Sequence, residues 1–223
     1  MIQAACKRIR QTFHSVRNPL AIEGTGGLVS RRQYDPSTKD ETVFYDPAQF
    51  GFSKILEQHT AEIAEEFAAV EQETVDWMEK DLYGEGWEVF GIYNFPYGQP
   101  LADGVRRCPI TAELVARNVP GHGAAGFSVL KPGTNIKPHV GYQGDFLRLH
   151  LGLIVPEGDC GLSVRGKRTR WQNGRAMIFD DREPHSAWNN TEQDRVVLLV
   201  DFVPDPNLEL VPVPDGHERD GEV

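Results

Sequence analysis

Residues 147–202 read LRLHLGLIVPEGDCGLSVRGKRTRWQNGRAMIFDDREPHSAWNNTEQDRVVLLVDF, and this stretch decides the fold class. RLHLGLIV, CGLSVRG, RAMIFDD and RVVLLVDFV are short runs, apolar or alternating, rich in the Val, Ile, Leu and Phe that suit strands. Turn chemistry separates them, as PEGDCG, QNGR and WNNTEQD, with KPGTN just upstream. Closely spaced strands with no helical period between them predict a barrel or jelly roll.

The texture changes on the N-terminal side of residue 120. In SKILEQHTAEIAEEFAAVEQETVDWMEKDLY, residues 53–83, Leu56, Ile63, Phe67, Val70 and Trp77 fall three, four or seven apart. That spacing predicts one amphipathic helix, capped by Ser53 and closed by Gly84, with its charges solvated and its apolar stripe on the core. The expected organisation is a single domain over 1–223. A helical or mixed buttress covers 1–120, a mainly β jelly-roll core covers 121–204, and an extended tail rich in proline and charge covers 205–223.

Composition narrows the function. The chain has 223 residues and a formal net charge of −10, without the basic footprint of a nucleic-acid binder. A chain of this size buries about 70% of its unfolded surface, enough for one self-sufficient core. No stretch reaches the ~20 consecutive apolar residues that span a bilayer, so no stable membrane insertion is expected. The N-terminal MIQAACKRIRQTFHSVRNP is basic but lacks the apolar region of a secretion signal; it could graze a membrane or serve as a presequence. Three cysteines, Cys6, Cys108 and Cys160, suggest a reducing compartment and no disulfide framework, with the cytoplasm as the default location. Gly-x-Ser-x-Gly, His-Glu-x-x-His and zinc-finger spacings are absent, and GTGG at 24–27 reads as a loop.

Two histidines stand in strand-and-turn context. His139 follows a proline-bounded turn in PGTNIKPHVG, and His185 opens a strand in FDDREPHSAWN, 46 residues later. A jelly roll brings such distant positions together, and two imidazoles can hold a first-row metal with other coordination positions open. By itself a buried histidine is more often a hydrogen-bonded core residue. Arg148 and Arg195 also sit in otherwise apolar strands, where a guanidinium needs an anion. Each either meets an acidic neighbour, lies on an exposed face, or holds the carboxylate of a ligand. Two histidines with two strand arginines fit a metal and a dicarboxylate co-substrate.

Over FSVLKPGTNIKPHVG, LRLHLGLIVPEGDCGLSV, TRWQNGRAMIFDDREPHSAWNNT and RVVLLVDFVP, the chain resembles the aspartyl/asparaginyl β-hydroxylase family of Fe(II)- and 2-oxoglutarate-dependent oxygenases. Weaker echoes lie in LYGEGWEVF and CPIT. The resemblance implies a double-stranded β-helix (cupin-like jelly roll) with His139 and His185 as iron ligands. It implies that Ser128 and Arg195 hold the distal carboxylate of 2-oxoglutarate, while Arg148 and His150 hold the proximal end beside the metal. The implied reaction consumes O2 and 2-oxoglutarate, yields succinate and CO2, and hydroxylates a carbon. Gly141 stands where many such oxygenases carry a ligating carboxylate, and the resembled family also lacks one there. Asp181 is then a candidate acceptor orienting a metal-bound water, or simply a turn-forming acid. A glycine at that position is also what halogenating relatives use to admit a halide.

Family members acting on aspartyl residues place basic groups near the substrate carboxylate, at the positions of Gly126 and Phe146 in this chain. Both cations are missing, which disfavours an aspartyl side chain and suits an apolar or aromatic portion beside Phe146. A lipid substrate is disfavoured by the missing membrane segment. The expected substrate is a small molecule, amino-acid derivative or peptide. Rival readings are β-hydroxylation of aspartyl or asparaginyl residues, a different metal in the same site, and a non-enzymatic cupin-like binding module.

Overall fold

The computed structural model describes residues 43–211 and 213, apart from 96 and 143, all within the compact unit Glu41–Val223. The basic N-terminal stretch, Cys6, the GTGG loop and the last ten residues of the tail lie outside the described residues.

The chain runs β1 (Phe44–Tyr45), α1 (Gly51–Gln58), α2 (Thr60–Val70), β2 (Val75–Asp76), β3 (Trp87–Tyr93), α3 (Ala102–Arg107) and α4 (Pro109–Asn118). Eight strands then follow one another: β4 (His122–Leu130), β5 (Asn135–His139), β6 (Leu147–Ile154), β7 (Cys160–Val164), β8 (Lys167–Thr169), β9 (Ala176–Phe179), β10 (His185–Asn189) and β11 (Arg195–Phe202). They fall into two antiparallel sheets. One has the order β9-β6-β11-β4, extended by β1 on one edge and by β3 and β2 on the other; the second is β5-β10-β7-β8. Counted one to eight, the strands divide between the sheets as 1-8-3-6 against 2-7-4-5. That is a double-stranded β-helix, a jelly roll of two Greek keys.

Strand parity divides the buried residues into two cores. Phe127 on β4, Leu149 and Leu151 on β6, and Leu198 and Val200 on β11 pack against Leu56, Ile63, Phe67 and Val115 of the helices. Each such side chain contributes about 1.5–3 kcal/mol when fully buried. The intervening residues face the other sheet, where Ile136, Leu162, Val164, Trp171, Phe179, Ala187 and Val197 form the second core. Ser128, Arg148, His150, Arg195 and Asp201 share the parity of this inner face, so the pleat aims every polar strand residue of interest into the barrel. On the helical side, the Glu66 carboxylate accepts from the Ile110 amide at 2.7 Å, the Thr111 amide at 2.8 Å and the Thr111 hydroxyl at 2.6 Å. It thereby satisfies the free amides at the start of α4 and fastens α2 to it.

The single helix expected over 53–83 is instead two helices, broken at His59 and finished at Val70. Ser53 is not a cap; it is buried inside α1, which begins at Gly51. Beyond residue 70 tertiary partners override the helical spacing: Val75 and Asp76 pair with β3, and Trp77 stacks on Trp87 at 5.3 Å. Gly84, at φ +82°, does stop a helical turn, but only the short 3-10 turn Lys80–Leu82. The buttress also contributes β1, β2 and β3 to the larger sheet. The described part of the tail turns at 205–208 and is then tied back to the start of the described chain: the Asp46 amide donates to Val211 O and the Val213 amide to Phe44 O. Cys108 and Cys160 are both buried and free.

Candidate active site

His139 ends β5 and His185 begins β10, and the antiparallel register sets them directly opposite each other. Their ring centroids lie 4.2 Å apart. The Nδ1 atom of His139 lies 2.8 Å from Lys137 O, and that of His185 lies 2.9 Å from Glu183 O. A carbonyl only accepts, so Nδ1 carries the proton in both rings and Nε2 presents its lone pair. Burial, together with His139, pushes His185 down to about 3, which keeps its imidazole neutral. The Asp181 carboxylate stands 3.2 Å from His185 Nε2. An acceptor facing a lone pair at that distance is satisfied by a cation beside both. Among the described residues no group of three or more His, Cys, Asp or Glu side chains is arranged to hold a metal. What the fold brings together here is two imidazoles with the Asp181 carboxylate beside them.

Gly141 explains how Asp181 comes to lie there. A Cβ built on Gly141 would fall onto the Asp181 carboxylate, so the space of the missing side chain is filled by the aspartate from the neighbouring turn. The Gly141 amide also donates to Asp181 O at 2.8 Å.

The two strand arginines differ. Arg148 is held by two carboxylates: Nε and Nη2 donate to Asp201 at 2.7 and 3.0 Å, and Nη1 donates to Asp181 at 2.5 Å. Burial opposes its charge, but the carboxylates of Asp181 and Asp201 outweigh burial and raise its pKa. Burial likewise raises both carboxyls against the pull of Arg148. Arg195 is 1% exposed, and among the described residues no carboxylate lies against it. Its Nη1 donates to Ser128 O at 3.3 Å, its Nε has no partner, and burial lowers its pKa to about 10. His150 lies on the same inner face with its Nε2 buried and without a partner. Burial first, then the Arg195 charge, pushes its imidazole well below the ordinary range. The Ser128 hydroxyl completes this end, accepting from Trp87 Nε1 at 3.1 Å. A buried cation and two unsatisfied donors call for an anion with more than one acceptor.

The family model for aspartyl/asparaginyl β-hydroxylase matches residues 57–204, which include every residue of this site. The chain belongs to the aspartyl/asparaginyl β-hydroxylase family. It is 43% identical over 119 residues to an ornithine lipid ester-linked acyl 2-hydroxylase of Rhizobium tropici, covering 52% of this chain and 41% of that one. It is 32% identical over 196 residues to aspartate beta-hydroxylase domain-containing protein 2 of Xenopus tropicalis, covering 75% of this chain and 51% of that protein. The chain thus spans about half, or less, of these relatives' length. Among solved structures, a Pseudomonas putida prolyl-4-hydroxylase aligns with TM-score 0.45 and 14% identity, over 67% of this chain and 88% of that one.

Within this family member the two positions expected to meet substrate are distinct in kind. Gly126 lies opposite Gly91 on β3, and a Cβ there would strike the Phe90 carbonyl oxygen. A basic side chain at 126 is therefore incompatible with the spacing of β3 and β4. Phe146 is half-buried just before β6, its ring over Gly144. Just after His139 in the chain, Val140 and Tyr142 are exposed, and Phe95 lies with its ring centroid 4.0 Å from that of Tyr142. Three residues escaped the sequence reading. Asp201 had a signal, a lone carboxylate in an apolar strand, but its pairing with Arg148 depends on register. Trp87 and Trp171 gave none, because a tryptophan in a core-forming stretch reads as packing. No helix among the described residues is long and apolar enough to cross a membrane.

Proposed function

We propose that this protein is an Fe(II)- and 2-oxoglutarate-dependent oxygenase that hydroxylates an unactivated carbon of a small molecule, amino-acid derivative or peptide. The observation that carries the reading is Arg195, a buried guanidinium with no carboxylate of its own, beside Ser128 and the unsatisfied Nε2 of His150. A dicarboxylate supplies what these groups lack. His139 and His185 would hold the iron through Nε2. Arg195 and Ser128 would hold the distal carboxylate, and His150 with the two N–H groups that Arg148 has left would hold the end nearer the metal. The bound metal and 2-oxoglutarate supply, with O2, the oxidising equivalents, releasing succinate and CO2.

The rest of the work falls to the chain. Arg148, clamped by Asp201, aims the Asp181 carboxylate at the metal side of His185, where it can accept from a metal-bound water. The same carboxylate fills the space beside Gly141, so a halide there would meet a negative charge and hydroxylation is favoured over halogenation. The apolar side chains of the second core, Trp171, Phe179 and Val197 among them, would keep bulk water from the reacting centre.

A second reading of the substrate, an amphiphile hydroxylated on an acyl chain, is favoured by the exposed Val140 and Tyr142 next to His139 in the chain, with Phe95 against Tyr142, and by the acyl 2-hydroxylase among the relatives. An aspartyl side chain is disfavoured by the absence of a cation at Gly126 and Phe146. A cytoplasmic location, where 2-oxoglutarate is at hand, goes with this reading.

Anaerobic addition of Fe(II) and 2-oxoglutarate tests the site through the visible charge-transfer band of the chelate. We expect the band in wild type, its loss in His139→Ala and its weakening in Arg195→Ala. No band in folded, metal-loaded wild type would move the assignment to a non-enzymatic binding module. Succinate release across aspartyl peptides, free amino-acid derivatives and N-acyl amino acids then separates the substrate classes. Stimulation by aspartyl peptides alone would sink the substrate assignment.

A further inference from the structure

Trp171 touches both unsatisfied donors. It is 4% exposed, and its indole N–H donates to His150 Nδ1 at 3.2 Å. The Arg195 guanidinium carbon lies 4.5 Å from the centre of the Trp171 ring. An indole nitrogen can only donate, so His150 Nδ1 must be bare, and a neutral ring then carries its proton on Nε2. That Nε2 is the buried atom without a partner. The ring face, meanwhile, offers Arg195 a π surface that favours its charge where water is excluded.

The backbone that carries Trp171 is pinned to β6 two residues from His150. Gly174 N donates to Gly152 O at 2.8 Å, and Gly152 N donates to Arg175 O at 3.1 Å. A Cβ on Gly152 would strike the Gln172 carbonyl oxygen, so only glycine lets the 171–174 turn lie this close to the strand. The Asn173 side chain adds a clamp, accepting from Val155 N at 2.8 Å and donating to Val155 O at 3.2 Å.

We propose that Trp171 is a positioning residue for co-substrate binding: its N–H holds His150 as an Nε2–H donor and its ring holds the Arg195 guanidinium, so one side chain sets both groups that receive the dicarboxylate. This inference rests on the co-substrate reading above, and its test separates the two.

The tautomer is read without turnover, by 15N NMR of histidine-labelled apo-protein. Wild type is expected to show His150 with the proton held on Nε2 and slow to exchange. In Trp171→Phe, which keeps the ring and loses the donor, that lock is expected to loosen to exchange between tautomers. Binding of 2-oxoglutarate to Mn(II)-loaded protein, followed by calorimetry, is expected to weaken about 5-fold in Trp171→Phe. In Trp171→Leu, which loses the ring as well, about 30-fold is expected. In turnover, the KM for 2-oxoglutarate rises with these losses while kcat at saturation changes less than about 2-fold. Mn(II) affinity of Trp171→Phe should match wild type, and its Tm should fall only by what one lost buried hydrogen bond costs. Should Trp171→Leu fail to fold, Trp171→Phe against wild type carries the test.

A wild-type His150 protonated on Nδ1, or 2-oxoglutarate affinity unchanged in Trp171→Phe, overturns the proposal. Wild type that holds the Nε2–H tautomer yet binds no 2-oxoglutarate overturns the co-substrate reading itself, and with it any role of Trp171 toward that ligand.

Discussion

Arg148 and Arg195 lie on neighbouring strands and face the same interior, Arg148 mostly and Arg195 fully buried, yet their surroundings are opposite. Arg148 donates three hydrogen bonds to Asp201 and Asp181, so the fold itself neutralises its charge and leaves two N–H groups over. Arg195 has a backbone carbonyl, an aromatic face and an empty Nε, and is left incomplete by the fold. A buried cation whose anions are supplied by the chain holds the structure together. One whose anion is not supplied marks where a ligand goes.

The largest effect is expected from breaking the completed member. Arg148→Leu strands two buried carboxylates and should cost about 3–5 kcal/mol in denaturant unfolding, with loss of the Asp181 orientation. A change near zero would mean that Arg148 is not structural. Arg195→Met is expected to do the reverse to the apo-protein, raising its stability by about 1–3 kcal/mol because an uncompensated buried charge is removed. At the same time 2-oxoglutarate affinity should fall about 100-fold or more. A drop in Tm together with unchanged affinity would erase the distinction between the two arginines.

Acidity sharpens the same contrast. The folded pKa of Arg195 is lowered to about 10, below its unfolded value, so its charge destabilises the apo fold below that pH and the cost is relieved as pH rises through it. Affinity for 2-oxoglutarate, which needs the charge, is therefore flat near neutrality and falls as pH rises through about 10. Arg148, whose pKa is raised, shows no such loss. Gly141→Ala, which drives a methyl into Asp181, is expected to cost about 1–3 kcal/mol as overpacking and to weaken Mn(II) binding. Ser128→Ala should be mildest, about 1 kcal/mol in 2-oxoglutarate binding, measured by calorimetry. An effect as large as that of Arg195→Met would make the hydroxyl the principal anchor.

Much of this was legible beforehand. The strands were, because an alternating apolar run bounded by turn residues has few other uses, and the jelly roll followed from their spacing. His139 and His185 stood out by their turn contexts, and the structure brings them into register. The helix over 53–83 was misread because Trp77 sits at a helical interval while its partner, Trp87, is ten residues away on a strand. Asp201 was passed over although it is printed in the same run as Arg195. Parity puts both on the inner face, but only the β6–β11 register decides that Asp201 meets Arg148.

By itself, then, the sequence determined the fold class and offered the candidate ligands, through local periodicity, residue chemistry and the family resemblance. Tertiary structure decided which arginine is neutralised, which carboxylate fills the space beside Gly141, and that Trp171 links His150 to Arg195. Those are pairings between residues 21 to 53 positions apart, set by sheet register and turn packing. No local pattern encodes which of two like charges finds a partner.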